Sequence, residues 1–298
     1  MVAVTPPSFR RATRTAATPA GRYGPRACLM LLAPLAVLLS IGFVYPIIRL
    51  VLISLGDGPA GLGQYRRIFA AGLYLEVLWQ TITMAGLVTI MCLMLGYPVA
   101  WAAARARGRL SSLIMAAIFI PLWTSVLIRS YAWIVLLQRS GLVNTVLFEF
   151  GLITQPLKLL YTDGAVAAAM THILLPFMIL PIANNLRTIP DDYGRAASSL
   201  GAGRTTTFIR VILPLSLPGV FAGSVMCFIL AIGFYITPAL VGGPEAMTMS
   251  TLIGQQTTVA LDWPFAAALS TVLLVVTLLF VIVFRRALSL SKGTSSVV

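Results

Sequence analysis

Six apolar runs separated by polar linkers organise the sequence: residues 27–48, 77–104, 111–138, 164–186, 219–241 and 263–284. A helix needs roughly 20 apolar residues to cross a bilayer, and each run reaches that length. Backbone groups in lipid must find partners within the segment, so each run predicts a membrane-spanning helix. The predicted fold class is an all-α membrane protein, a bundle of six transmembrane helices. Residues 1–26, rich in Pro, Thr, Ala and Arg, read as a disordered basic tail. Residues 27–288 form the transmembrane domain and residues 289–298 a second tail. The run after the N-terminal tail exceeds the usual h-region of about 7–15 residues and no A-x-A site follows it, so the tail is not read as part of a cleaved signal.

Composition supports this assignment. The apolar fraction is 59% and only 10% of the 298 residues are charged, whereas soluble domains carry about a quarter. Mean hydropathy is +0.95. The net charge of +13 raises the question of nucleic acid, but the charges fall between apolar runs and form no single patch, so none is expected as a partner. Cys28, Cys92 and Cys227 lie in or beside apolar runs without CxxC spacing, which suggests neither a metal site nor a disulfide framework. The single histidine, His172, has two readings, a proton relay or a side chain packed between helices. No ionisable residue accompanies it in its run, which favours packing. No inverted internal repeat is evident.

The basic residues set the orientation. Arg10, Arg11, Arg14, Arg22 and Arg26 precede the first run; Arg105, Arg107 and Arg109 follow the second. Arg187, Arg195, Arg204 and Arg210 lie between the fourth and fifth, and Arg285, Arg286 and Lys292 follow the sixth. The other three linkers hold Arg49, Arg66, Arg67, Arg139 and Lys158, together with six of the eight acids. Fifteen basic residues against five place both termini and the fourth-to-fifth linker in the cytoplasm.

That linker, residues 187–218, is unlike the rest. Pro190 and Asp191 mark a helix start. Tyr193, Ala196, Ala197 and Leu200 then recur at helical spacing. Gly201 and Gly203 interrupt, and Phe208, Val211, Ile212 and Leu215 form a second stripe. Pro214 and Pro218 are expected to stop or kink that second helix before the fifth span. The result is a helix–Gly–helix element on the cytoplasmic face. Its stripes bury either against its own bundle or against a cytoplasmic partner, and spacing alone does not choose.

The string "RAASSLGAGRTTTFIRVILP" resembles the EAA loop of ATP-binding-cassette importer permeases, E-A-A-x3-G-x9-I-x-L-P. Ala196, Ala197, Gly201, Leu213 and Pro214 match it, Val211 takes the Ile place, and Arg195 replaces the acid. "IPLWTSVLIRSYAWIVLLQRSGLVNTVL" and "GFYITPALVGG" resemble permeases of the spermidine/putrescine type, so the likeness covers about residues 27–288. It implies a permease bundle in the bacterial inner membrane whose coupling loop, 187–218, docks ATPase subunits. The implied coupling residues are Arg195, Ala196, Ala197, Gly201, Gly203, Val211, Leu213 and Pro214. The implied partners are a second permease subunit, two ATP-binding subunits and an extracytoplasmic solute-binding protein, within membrane lipid. ATP and magnesium belong to the ATPase; no cofactor is expected in this chain, which lacks G-x4-G-K-[ST], and no enzymatic activity.

Within the spans, Trp123, Arg129, Tyr131, Trp133, Phe234, Tyr235 and Thr237 are the candidates for lining a pathway, although an interfacial aromatic belt also explains the aromatic ones. No acid lies deep in a span, so of the carboxylates or aromatic faces that a tight polycation site should offer, only aromatics are present. Arg129 stands 16 residues beyond Leu113, roughly 24 Å along a straight helix at about 1.5 Å per residue, toward the outer side. It either snorkels outward or lines a vestibule, where it would repel polycations and favour a carboxylate. The likeness extends to solutes of polyamine, opine and amino-acid-like type.

Two rivals remain at this stage. An ion-coupled secondary transporter needs an ionisable coupling residue, and only His172 and Arg129 are available. A non-transporting structural membrane subunit is the other. Cysteines introduced near Val143 or Met247 should react with an impermeant maleimide from outside, and one near Ser199 only from inside. External labelling at Ser199 would overturn the orientation.

Overall fold

The computed structural model describes residues 25–56, 62–243 and 246–293, with side chains over 29–56, 62–243 and 246–286. Residues 1–24 and 294–298, most of the expected disordered basic N-terminal tail and part of the expected C-terminal tail, lie outside the described residues. Every regular element within them is helical. The chain divides into two units, Met1–Arg49 and Leu50–Val298. In the first, α1 (Pro25–Leu39) runs through a π-helical turn, Ser40–Val44, into α2 (Tyr45–Leu55), which ends in the second unit. The Tyr45 N–H bonds to the Ser40 carbonyl one residue further back than in an α-helix. The wider turn sits just ahead of Pro46, whose ring would otherwise press on the preceding turn.

The second unit continues with α3 (Gly63–Ala70), α4 (Gly72–Arg105), α5 (Arg109–Trp123), α6 (Val126–Leu137) and α7 (Leu142–Glu149). Then come α8 (Asp163–Thr188), α9 (Asp191–Ser199), α10 (Arg204–Thr207) and α11 (Leu213–Ile232). The last are α12 (Met249–Thr258) and α13 (Trp263–Gly293). Six helical segments among the described residues are long and apolar enough to cross a membrane: Leu29–Leu55, Gly72–Arg105, Val126–Glu149, Asp163–Thr188, Arg204–Ile232 and Trp263–Arg286.

Two predicted spans are rearranged. Residues 111–138 do not form one helix. Pro121 lies in the last turn of α5, Thr124 is extended, and the Ser125 hydroxyl caps α6 by accepting the Leu127 N–H at 3.3 Å. The fifth helix begins at Arg204 instead of 219 and ends at Ile232 instead of 241. Pro214 and Pro218 do not stop it, because a π turn at Phe208–Ile212 precedes them. There the Leu213 N–H reaches back to the Phe208 carbonyl, giving the Pro214 ring room.

The core of the second unit is α8. Two-thirds of its most apolar stretch is buried, and α4 and α11 pack against it. The contacts are close because the facing residues are small. On α11, Gly219, Gly223 and Cys227 recur every four residues and all are buried. A Cβ added at Gly219 would lie 2.6 Å from Asn185 Cβ and 2.9 Å from the Pro181 carbonyl; one at Gly223 would lie 3.0 Å from the Met178 carbonyl. On α4, Gly96 and Cys92 do likewise: a Cβ at Gly96 would meet Met178 Cγ at 3.2 Å, and Cys92 Sγ donates to the Thr171 carbonyl at 3.5 Å. Cys227 Sγ donates to the Leu174 carbonyl at 3.6 Å. Lipid tails are as apolar as leucine, so packing of this kind, and not a solvent-driven collapse, holds membrane helices together.

Gly219→Ala should therefore destabilise the folded protein by about 1–3 kcal/mol, the usual cost of overpacking. Gly86→Ala, with nothing within 4 Å of the added Cβ, is the control. Thermal unfolding in detergent measures both; equal midpoints would contradict the packing account.

Candidate functional site

Two groups of residues stand out, one at the end of the bundle that carries α9 and one where α6 meets α8. The first is α9 and its attachments. Asp191 and Asp192 occupy the first turn of α9, where the helix dipole favours acids. Asp191 also binds the end of α4: Arg105 Nη1 donates to Asp191 Oδ1, and Arg107 Nη2 lies 3.7 Å from Oδ2. Arg187, at the end of α8, donates to the Ala103 carbonyl at 3.1 Å. The Arg105 guanidinium lies 5.0 Å from the Trp101 ring centroid. Trp101 meets Phe208 edge-on at 5.3 Å, Phe208 meets Tyr97 at 5.9 Å, and the Tyr97 hydroxyl is 2.9 Å from Ser216 Oγ. A continuous chain of contacts thus joins α9 to α4 and the root of α11.

α9 ends in a Schellman motif. The Ala202 N–H reaches the Ala197 carbonyl and the Gly201 N–H the Ser198 carbonyl, both at 3.0 Å, with Gly201 at φ +80°. This left-handed geometry is cheap only for glycine. Gly203 has an ordinary φ of −67° and precedes α10 as its cap.

The two sequence stripes separate in the structure. Ile212 is buried, and Phe208 and Val211 pack against the core, so the second stripe belongs to the protein's own bundle. Leu213 is partly buried and Pro214 exposed. In the first stripe only Ala197 turns inward; Tyr193, Ala196 and Leu200 are exposed, Leu200 by 88%. The alanine pair therefore does not form one flat outer face: Ala196 looks out and Ala197 in. Arg195 is exposed and 3.9 Å from Asp192, an ion pair worth little at such exposure.

The second group centres on α6 and α8. Trp133 Nε1 donates to His172 Nδ1 at 3.2 Å, and the rings meet edge-on at 6.0 Å. His172 is exposed and not packed between helices. Arg129 lies one turn before Trp133 on the same face of α6, and its buried Nε and Nη1 atoms have no hydrogen-bond partner among the described residues. Leu137 at the end of α6 packs with Ala165 near the start of α8, so the two helices run in opposite directions. His172 is nine residues, about 13 Å, along α8 from Asp163, and Arg129 one turn further. Since α8 has 26 residues, Arg129 stands about half-way along it. The break at Thr124–Ser125 means that residues 113–129 do not form one straight helix.

The other pathway candidates do not converge on this group. Thr237 is fully buried, and its hydroxyl is 2.9 Å from Ser130 Oγ, tying the π turn at Pro238–Gly242 to α6. Trp123 is 90% exposed at the end of α5, and Tyr131 is half exposed. Phe234 is partly buried against the core, and Tyr235 lies over Gly254 of α12, where a Cβ would come within 2.5 Å of its ring. Sequence reasoning missed the Asp191–Arg105 clamp and the Trp101–Phe208–Tyr97 contacts, which join residues about 90 to 120 positions apart with no local signature.

Comparison with known proteins agrees with this architecture. Residues 93–289 match the family model described as "Binding-protein-dependent transport system inner membrane component". The spermidine/putrescine transport system permease protein PotB of Escherichia coli (strain K12) is 36% identical over 226 residues, covering 76% of this chain and 82% of that protein. PotB of Haemophilus influenzae is 34% identical, covering 77% and 80%. The inner membrane ABC transporter permease protein YdcU of Escherichia coli (strain K12) is 33% identical, covering 76% and 75%. Among solved structures, a bacterial ABC transporter involved in the import of the acidic polysaccharide alginate superposes with a TM-score of 0.74 at 18% identity, over 89% of this chain and 95% of that one. The helical architecture, the six candidate membrane segments and these matches together place the chain in the family of binding-protein-dependent transport system inner membrane components, as a multi-pass permease subunit of an ABC importer.

Proposed function

We propose that this chain forms half of the translocation pathway for a small organic solute and receives the work of ATP hydrolysis through the element 187–218. The observation that carries this reading is the clamp on α9. An otherwise exposed short helix is fastened by Asp191 to Arg105 and Arg107, and through Trp101 and Phe208 to two membrane helices. A solvated loop has no use for such fastening. A lever between a partner and the membrane requires it. In this reading Tyr193, Ala196 and Leu200 face an ATP-binding subunit, Ala197 and Val211 seat the helix, and Leu213 and Pro214 lead into α11. Gly201 and Gly203 make the turn, and Arg195 is available to an acid on the partner.

The complete importer then comprises this chain, a second permease, two ATP-binding subunits that carry ATP and magnesium, and an extracytoplasmic solute-binding protein. Both termini are cytoplasmic, which puts α9 on the ATPase side. The names of the relatives make a polyamine one candidate solute; opine and amino-acid-like solutes are the others.

Gly201→Asn and Ala196→Trp separate docking from folding. Asparagine tolerates the left-handed conformation better than other non-glycine residues, and beyond its chain neighbours no described residue has an atom within 4 Å of a Cβ at Gly201. Both variants should insert normally and lose co-purifying ATPase or couple hydrolysis poorly to uptake; normal uptake and ATPase retention in both would refute the docking reading. Ala197→Trp should displace α9 from its own bundle and have the same consequence. Arg195→Glu should weaken docking, with recovery on a reciprocal charge change in the partner. Asp191→Asn tests the clamp. Half-exposed ion pairs contribute about 0.2–1 kcal/mol, so trypsin should cut after Arg195 or Arg204 up to about fivefold faster from the cytoplasmic side. An unchanged rate would show that Asp191 holds nothing.

A further inference from the structure

The Arg129–His172 group is not accounted for by the fold. Arginine within a membrane span is expensive and ordinarily faces a partner or an aqueous path. Arg129 has neither an acid nor any other partner for two buried nitrogens among the described residues. Snorkelling does not resolve this, because those two nitrogens are buried within the protein and not carried to a surface.

His172 has a defined donor pattern. Its Nδ1 accepts the Trp133 indole N–H, so the neutral ring carries its proton on Nε2, which is left as a donor on an exposed side chain. The group therefore presents a guanidinium and an imidazole N–H, and no carboxylate among the described residues answers them. One guanidinium beside one N–H matches the two oxygens of a single carboxylate. The Trp133 ring supplies an apolar wall next to it.

We propose that Arg129 and His172 form a carboxylate-binding site midway along the membrane path, and that the solute is an amino carboxylate and not a free polyamine. This deepens the importer reading and rests on it. A polycation would meet the uncompensated Arg129 charge. An amino carboxylate meets an oriented pair of donors.

The test uses the assembled importer purified with its partner subunits, titrated with ornithine or putrescine. These probes share a carbon chain and differ by one carboxylate. Binding is read as a shift of the thermal unfolding midpoint. Ornithine is expected to stabilise the complex and putrescine not. Arg129→Gln should weaken the ornithine response about tenfold or more, the usual consequence of losing a charge-assisted hydrogen bond. Arg129→Lys should keep most of it, and Arg129→Glu should transfer the response to putrescine. A wild-type complex that does not respond to ornithine, or responds equally to putrescine, overturns the proposal. Loss of the second permease from the Arg129→Gln complex also overturns it, by assigning the guanidinium to an acid at the subunit interface. Retention of the ATPase and ATP hydrolysis by the wild-type complex distinguish failure of the carboxylate site from failure of the importer reading.

Discussion

The close approach of α4 and α11 to α8 is the contact on which the rest of the second unit depends. Membrane helices gain nothing from hiding apolar surface from lipid, so they associate only where their surfaces fit. Here the fit comes from Gly219, Gly223 and Cys227 on one side and Gly96 and Cys92 on the other, against a helix built around Met178, Ile182 and Leu174. Cβ atoms at the two α11 glycines would overlap the α8 backbone or its neighbours. Three long helices consequently behave as one packed body, and what is attached to their inner ends inherits that rigidity.

The short helix α9 is attached there. Asp191 faces Arg105 at the end of α4, Arg105 lies against Trp101, and Trp101 and Tyr97 enclose Phe208 at the root of α11. No single contact in this chain is strong, since the ion pair is half exposed and edge-on aromatic pairs contribute about 0.5–1.5 kcal/mol each beyond their burial. Their value lies in continuity. A push on Leu200 or Tyr193 reaches α4 and α11 together, and both pack on α8. The polar group at Arg129 and His172 lies where α6 meets α8.

Much of this was legible in the sequence. The spans ending in Arg105, Thr188 and Arg286 follow from apolar length, and the start and stop of α9 follow from the acids in its first turn and the left-handed Gly201, although Asp191 makes no side-chain cap. The readings that failed share a cause: proline was weighed by itself. Pro214 and Pro218 look like helix stops, yet a π turn ahead of them carries the helix through. Pro121 drew no attention inside an apolar run, yet the chain breaks three residues after it; a 28-residue run with a Pro and a Ser cap at Ser125 was the available signal. The division of the alanine pair, with Ala197 inward and Ala196 outward, was beyond periodicity, because it depends on where α10 and α11 return against α9.

The central claim is that α9 moves with α4 and α11 as one body during the transport cycle. Spin labels at Leu200 and Met94, both well exposed, on the coupling turn and on α4, test it by pulsed dipolar spectroscopy in the assembled importer. The account expects the same distance distribution in nucleotide-free and ATP-bound complexes, while a label pair between Leu200 and the second permease changes. A Leu200–Met94 distance that shifts with ATP would show the coupling helix swinging independently of the bundle and would contradict it.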